Sequence, residues 1–317
     1  MRIVFMGTPE FAAHSLLKLS QSHEVALVVT QPDRPCGRGY KLSPPPVKVV
    51  ARECNLPFLQ PERINTPEII AKLKELRPEV IVVVAFGQKI PPAILELAPY
   101  GCVNLHGSLL PKYRGAAPIQ RAIMNGETKT GLTTMLMDEG WDTGDMLLKC
   151  ELPIELEDTA GTLHDKMMLS GARLLIETLE KLPRNEVIPQ PQDHAKATYA
   201  PKITKADQIR SWDRSALSVY NHLRALLPWP GIKFIHNNRE LSLEKISLGS
   251  RLEGNKPRPG TVTEVTSDYF EVSCTDQTIR FAAIKPQGRR LMRVEEYLNG
   301  YNLRAGDFLE PLKEENC

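Results

Sequence analysis

The first half of the chain alternates short apolar runs with amphipathic stretches. Apolar runs at 2–6, 24–30 and 80–85 predict strands. The last of them, VIVVVA, is continuously apolar and β-branched, which is typical of a strand buried on both faces of a parallel sheet. Apolar positions over 9–20 recur at helical spacing, with Thr8 as the predicted N-cap. The chain therefore opens β-α-β, which predicts an α/β domain built on a Rossmann-like, mostly parallel sheet. Further strands of this domain are predicted at 102–106, 132–138 and 146–152, with helices at 67–76, 116–124 and 163–182.

The remaining pattern predicts a second, smaller domain. Composition changes near Pro189, where a polar, proline-containing stretch begins. Five short strand candidates follow between 232 and 284, a spacing that favours a small β-barrel. We therefore expect domains at 1–188 and 208–317, joined by a linker at 189–207.

Composition adds a few limits. Of the 317 residues, 42% are hydrophobic and 25% charged, as in globular proteins. The six cysteines form no C-x-x-C pair and have no histidine at zinc-ligand spacing, which predicts a reducing, cytoplasmic setting and no metal site. No apolar stretch is long enough for a membrane span. The first β-α turn carries Gly7 alone rather than G-x-G-x-x-G, so NAD binding is not predicted.

The stretch 101–118, GCVNLHGSLLPKYRGAAP, carries the candidate chemistry. Asn104 and His106 are two apart on a predicted strand, so their side chains share one face. The 80–85 strand ends at Phe86-Gly87, and ligands of open α/β sheets bind outside the carboxyl ends of strands. Asp142 lies in a glycine-bearing loop, EGWDTGD, between two predicted strands. We expect Asn104, His106 and Asp142 to form one site.

These three side chains suit acyl transfer. Asparagine and histidine N–H groups can stabilise an oxygen that gains negative charge, and a carboxylate near the imidazole can orient it and take up a proton. A Ser-His-Asp reading through Ser108 is conceivable. Ser108 lies in a Ser-Leu-Leu-Pro loop rather than a G-x-S-x-G turn, however. Direct transfer to an external nucleophile through a tetrahedral intermediate therefore fits better than a covalent enzyme intermediate.

Two segments are strongly basic. Residues 31–49 carry Arg34, Arg38, Lys41 and Lys48 against one acid, and their two glycines and five prolines are expected to exclude regular structure. Such a long loop is either a solvated connection or an arm that meets a polyanion. A second cluster without an intervening acid contains Arg280, Lys285, Arg289, Arg290 and Arg293. It is either a solvated strand edge or a nucleic-acid platform on the barrel.

The motif Asn104 to Pro111, continuing to Pro118, resembles the signature of folate-dependent formyltransferases, and GWDTGD at 140–145 lies at that family's distance downstream. Four further motifs resemble those of the branch of this family whose acceptor is methionyl-tRNA. They are GTPEF at 7–11, QPDRP at 31–35, GRG at 37–39 and PWPG at 228–231. The likeness covers nearly the whole chain.

The resemblance implies a Rossmann-like catalytic domain followed by an OB-like, tRNA-binding domain. It implies 10-formyltetrahydrofolate as donor substrate, no permanently bound cofactor, and the amino group of methionine on initiator tRNA as acceptor, with no membrane or obligate protein partner. Asn104, His106 and Asp142 would be catalytic. The expected folate contacts are Ser108, Leu109, Leu110, Pro111, Phe86 and Gly87, and the expected tRNA contacts are Arg34, Arg38, Lys41, Lys285, Arg289 and Arg290.

Three alternatives stay open from the sequence. The first is a related enzyme with a small acceptor, such as a nucleotide sugar or a purine precursor, but such an acceptor would need neither basic segment. Water as nucleophile would give a 10-formyltetrahydrofolate hydrolase. A non-enzymatic RNA-binding protein would leave the convergence of Asn104, His106 and Asp142 as a coincidence.

Overall fold

A computed structural model of the chain describes residues 1–36, 41–208 and 211–312. They form two compact units. The first comprises residues 1–115, 129–153 and 164–200, and the second comprises 116–128, 154–163 and 201 onward. The boundaries expected from the sequence, after 188 and 207, stay a prediction.

The first unit contains a seven-stranded sheet in the order β5-β2-β1-β6-β7-β8-β9. Its five strands from β5 to β7 are parallel, and β8 and β9 add on antiparallel. This confirms the predicted Rossmann-like α/β sheet. The strands are β1 Arg2–Gly7, β2 Glu24–Val29, β5 Phe58–Leu59, β6 Val80–Val84, β7 Cys102–His106, β8 Lys129–Leu136 and β9 Met146–Pro153.

The central strands are buried on both faces. In β1, Val4 and Met6 pack on one side of the sheet with Leu73 and Ile94 of the helices, while Ile3 and Phe5 point to the other side. The whole of β6 is buried. Burial on both sides explains why these strands read as continuous apolar runs rather than as alternating patterns.

Helices cover this sheet: α1 Glu10–Ser20, α2 Pro46–Glu53, α3 Pro67–Glu75, α4 Pro92–Leu95 and α6 Ala160–Lys181. Gly171 of α6 lies so close to β7 that a Cβ there would be 2.9 Å from Leu105. Thr8 was the wrong choice of N-cap for α1. Pro9 occupies that position, and the Thr8 hydroxyl instead donates to the Phe86 carbonyl at 2.9 Å, joining the turns after β1 and β6.

The expectation that 31–49 lacks regular structure is wrong. The strands β3 Arg34–Cys36 and β4 Lys41–Ser43 pair antiparallel, and α2 begins at Pro46. Proline is compatible with the first helical position because the N–H of that residue has no hydrogen-bond acceptor within the helix. Lys48 also leaves the basic set, because it is buried and its Nζ lies 2.7 Å from both carboxylate oxygens of Asp33.

The second unit is an antiparallel, curled half-barrel sheet in the order β12-β13-β14-β11-β10-β16. Residues 306–309 exchange backbone hydrogen bonds with 260–262, and β16 pairs with β10, so the last residues link both ends of the curl. The predicted small barrel is confirmed. Its strands are β10 Ile232–His236, β11 Arg239–Arg251, β12 Val262–Val265, β13 Phe270–Ser273, β14 Gln277–Pro286, β15 Met292–Arg293 and β16 Glu310–Pro311.

Stacked aromatic rings fill the interior of this curl. Trp212 lies 4.5 Å from Phe234, centroid to centroid, and its indole N–H donates to the Leu309 carbonyl at 2.9 Å. Ser215 caps α7 by accepting from the Ser218 N–H. The helices of this unit are α5 Pro118–Met124, α7 Ala216–Ala225 and α8 Val294–Leu298. Across the described residues, no helix has both the length and the apolar character to cross a membrane.

A buried carboxylate makes the second unit sensitive to acid. Glu271 accepts from the Thr278 hydroxyl at 2.5 Å and from Arg280 Nη2 at 2.7 Å. Burial alone would raise the pKa of Glu271, but these hydrogen bonds outweigh it and hold the pKa below its ordinary value. Because the pKa is lowered on folding, the stabilisation exists above pH ~4.5 and is lost as pH falls further.

We therefore expect Glu271→Gln to lower the free energy of unfolding by about 1–3 kcal/mol at pH 7. The difference from the parent should narrow between pH 5 and pH 3. Urea unfolding across that range measures it, with the exposed Glu253→Gln as control. A stability difference between parent and Glu271→Gln that is the same at every pH would show that the pKa of Glu271 is not lowered by folding.

Candidate active site

Asn104 and His106 lie at the carboxyl end of β7, as the spacing predicted. Both are buried, with 8% and 6% of their surface exposed. In the described part of the chain, no protein group is hydrogen-bonded to the Asn104 carboxamide. Burial of a polar side chain without a protein partner is unfavourable unless a ligand or water supplies the bond. The Asn104 amide is therefore available to a substrate.

Both nitrogens of the His106 ring face an acceptor. Nε2 lies 2.9 Å from the Tyr113 carbonyl, which can only accept, so this nitrogen carries a proton. Nδ1 lies 3.7 Å from Asp142 Oδ1. That separation is too long for a direct hydrogen bond but suits an ion pair with a protonated ring. The Tyr113 contact thus fixes the ring and leaves Nδ1 as the nitrogen able to act.

Asp142 reaches this ring from the loop between β8 and β9. Its φ of 54° is left-handed, a conformation that aspartate tolerates better than most residues. The other carboxylate oxygen, Oδ2, accepts from the Gly115 N–H at 2.8 Å. Asp138 stabilises the start of the loop by accepting from the Gly140 N–H and the Thr143 hydroxyl. The structure therefore places His106 beside Asp142, with Asn104 on the same face of β7 and the Gly115 N–H steadying the carboxylate.

Neither Ser108 nor Cys102 is set up as a nucleophile. The Ser108 hydroxyl is fully buried and donates to the Lys112 carbonyl at 2.6 Å, inside its own turn. Burial raises the pKa of the Cys102 thiol to about 12, so it stays protonated at neutral pH. The geometry favours direct attack by an external nucleophile over a covalent enzyme intermediate.

Thr133 and Lys149 hold the Ser108–Pro111 turn from β8 and β9. The Thr133 hydroxyl donates to the Ser108 carbonyl at 2.7 Å and accepts from the Leu110 N–H at 3.1 Å. Lys149 Nζ donates to the Leu110 carbonyl at 2.7 Å. Partial burial lowers the pKa of Lys149. Two antiparallel strands therefore fix the backbone of the turn.

The residues predicted to contact folate differ in how far they are buried. Leu110 is 1% exposed and packs with Met135 and Met146, so its side chain is part of the core. Leu109 lies against Gly131, where a Cβ would be 2.6 Å away from it. Phe86 is also buried, while its neighbour Gly87 is exposed with a φ of 87°. Their contacts with folate, like those of Ser108 and Pro111, stay a prediction.

The predicted tRNA residues lie in both units. Arg34 is exposed on β3, while Lys41 lies on β4 and Arg38 lies outside the described residues. In the second unit, Lys285 is half-buried on β14, and Arg289 and Arg290 are exposed beyond it. Strand pairing places Glu271 opposite Arg280. Arg290 Nη2 lies 3.3 Å from Glu296 Oε2. The cluster is thus less positive than its sequence indicates, because acids distant in sequence neutralise part of it.

Two residues that support the Asp142 loop and Tyr113 were not identified from the sequence. Gln192 donates to the backbone of the Asp142 loop, and the Thr198 hydroxyl accepts from the Tyr113 N–H at 2.8 Å. Both come from the stretch that composition indicated to be a linker. Isolated polar residues in such a stretch carry no periodic or motif signal, so nothing in a single sequence could have identified them. In the described ranges, no three His, Cys, Asp or Glu side chains are grouped to hold a metal.

Two family profiles match the chain over most of its length. Residues 1–179 match the family described as formyl transferase, and residues 202–302 match the formyl transferase C-terminal domain. The chain therefore belongs to the formyl transferase family and is a formyltransferase.

Relatives that match nearly the whole chain include methionyl-tRNA formyltransferases. The enzyme of that name from Caldanaerobacter subterraneus subsp. tengcongensis is 49% identical over 98% of this chain and 100% of its own length. The one from Citrifermentans bemidjiense is 45% identical over 98% of this chain and 96% of its own. A solved structure, the sugar 3N-formyl transferase WlaRD, matches 92% of this chain and 99% of its own with a TM-score of 0.66. At 20% identity, that likeness shows the shared fold.

The Thr133 contacts can be tested directly. Thr133→Val keeps the shape of the side chain but leaves the buried Ser108 carbonyl and Leu110 N–H without a partner. We expect a loss of about 1–3 kcal/mol in the free energy of unfolding. Thr130→Val, also buried on β8, is the matched control for removing a hydroxyl. Equal stability changes in the two variants would show that Thr133 does not hold the turn.

Proposed function

We propose that the chain transfers the formyl group of 10-formyltetrahydrofolate to the amino group of methionyl initiator tRNA, giving N-formylmethionyl-tRNA. The observation that carries the proposal is the grouping of Asn104, His106 and Asp142 in a chain whose relatives bear the name methionyl-tRNA formyltransferase. The site offers donors for an oxyanion and a carboxylate for a proton, and these are the needs of amine attack on a formyl carbon.

The proposed reaction assigns one role to each of these groups. The uncharged methionyl amine attacks the formyl carbon, and the carbonyl oxygen becomes an oxyanion. The Asn104 amide and protonated His106, acting through Nδ1, donate to that oxygen. Asp142 takes the proton from the attacking nitrogen, directly or through water. Collapse of the tetrahedral intermediate breaks the bond to N10 of tetrahydrofolate, which takes up a proton as it leaves.

The donor would lie against the Ser108–Pro111 turn and the Phe86-Gly87 turn. Both turns follow the carboxyl ends of neighbouring parallel strands, and Val83 of β6 pairs with Asn104 of β7. Sheets of this class bind ligands at that edge. Folate is consumed as a substrate here, and the proposal includes no permanently bound cofactor.

The acceptor would meet basic groups in each unit. Arg34 is exposed on the β3–β4 hairpin. Around β14, Lys285 and Arg289 make no ion pair with any described residue. Arg38, Lys41 and Arg290 complete the proposed set. Contacts of lysine and arginine with phosphates would position the tRNA without reading its bases. We propose the 1–188 catalytic and 208–317 tRNA-binding domains on the same grounds, with a cytoplasmic location because charged tRNA is used there.

The catalytic assignment predicts large rate losses at two residues. His106→Ala and Asp142→Asn should each lower the rate of formyl transfer by at least about 10², because each removes a group that acts on the tetrahedral intermediate. Single-turnover formylation of methionyl-tRNA measures the effect. His164→Ala, which removes a histidine of α6 outside the proposed site, is the control. Near-parental turnover in either site variant would refute the assignment.

The tRNA assignment predicts a strong dependence on salt. The logarithm of the apparent affinity for methionyl-tRNA should fall linearly with the logarithm of salt concentration. Lys285→Ala and Arg289→Ala should each reduce that slope by about one. Lys72→Ala removes an exposed lysine of α3 and should leave the slope unchanged. An affinity that does not respond to salt would argue against a polyanionic acceptor.

A further inference from the structure

The Gln192 side chain lies at the centre of a hydrogen-bonded group beside Asp142. It is 5% exposed. Its Nε2 donates to the backbone carbonyls of Asp142 and Gly144, at 2.9 and 2.8 Å. Its Oε1 accepts from Nε and Nη2 of Arg114, at 3.0 and 2.7 Å. All four contacts lie in the first unit and join segments 50 and 78 residues apart in sequence.

These partners allow the Gln192 amide one orientation. Arg114 is a donor only, so the oxygen of the amide must face it. The NH₂ group is then directed at two carbonyls, which can only accept. Both amide hydrogens and the amide oxygen are thereby satisfied in a buried place, where an unsatisfied polar group would be costly.

The two carbonyls belong to residues on either side of Thr143, so Gln192 fixes the backbone at and just after the catalytic aspartate. The residue after Arg114 is Gly115, whose N–H donates to the Asp142 carboxylate at 2.8 Å. Arg114-Gly115 and Gln192 therefore act on the same residue, one on its side chain and the other on its backbone. Asp142 has a left-handed φ of 54°, which the loop must maintain.

We propose that Gln192 is a positioning residue for catalysis, which holds the Asp142 loop so that the carboxylate faces His106 Nδ1. This inference rests on the proposed function, because it assumes that Asp142 acts in formyl transfer. A displacement of about 1 Å at a reacting group can lower a rate by about 10². Gln192 does not need to contact either substrate to have such an effect.

The first experiment replaces the donor group while keeping the shape of the side chain. Gln192→Glu directs a carboxylate oxygen at the two carbonyls and keeps an acceptor for Arg114, and Gln192→Leu removes both functions. We expect kcat to fall between about 10-fold and 10²-fold in each. The KM for donor and acceptor should stay within roughly threefold of the parent, since substrate contacts are kept.

Gln208→Glu is the matched control. Gln208 is also buried and donates to one backbone carbonyl, that of Gly231, in the second unit. The same change of atoms there should lower stability without lowering kcat. Thermal unfolding of all variants shows that they are folded. If the Gln192 variants do not accumulate, Arg114→Met keeps Gln192 but frees its amide to rotate, and the same selective loss in kcat is expected.

A double substitution separates positioning from general destabilisation. If Gln192 acts through Asp142, then adding Gln192→Leu to Asp142→Asn should cost less than about threefold more in kcat, because nothing is left to position. A full multiplicative loss would overturn the inference, as would a parental kcat in every folded Gln192 and Arg114 variant. A parent enzyme that transfers no formyl group to methionyl-tRNA would instead refute the proposed function.

Discussion

The hydrogen bond from His106 Nε2 to the Tyr113 carbonyl is the contact on which the site depends. This hydrogen bond fixes the orientation of the imidazole ring, so that the other ring nitrogen, Nδ1, faces Asp142. A carbonyl acceptor also settles which nitrogen is protonated, since it cannot donate. Tyr113 itself is held by Thr198, whose hydroxyl accepts from its N–H. His106 and Asp142 therefore lie side by side in the protein alone, with Asn104 two residues before His106 on the same face of the strand.

Rigid strands supply one half of this arrangement and irregular segments supply the other. Asn104 and His106 belong to a strand that is paired on both sides, by β6 and β8. Asp142 comes from a loop that is held through its backbone by Gln192 and through its side chain by Gly115. Sheet pairing thus fixes two of the three side chains, and hydrogen bonds from distant segments fix the third.

The sheet and the site face could be predicted from the sequence because each depends on local periodicity. Buried parallel strands give apolar runs, and residues two apart on a strand share a face. The contacts of Gln192 and Lys48 could not be predicted, since they join groups that only the tertiary fold brings together. The β3–β4 hairpin was missed because prolines at Pro35 and Pro46 suggested irregular structure. Prolines are compatible with edge strands and with the first turn of a helix.

The acceptor is tested most directly by a competition assay with the purified full-length protein and 10-formyltetrahydrofolate. Methionyl initiator tRNA, methionyl elongator tRNA, free methionine, an amino sugar nucleotide and water alone would be compared as acceptors by formyl incorporation and tetrahydrofolate release. The account predicts rapid formylation of charged initiator tRNA, with little transfer to the elongator tRNA or small amines and little hydrolysis. Faster transfer to a small amine, or release of tetrahydrofolate at the same rate without tRNA, would contradict it.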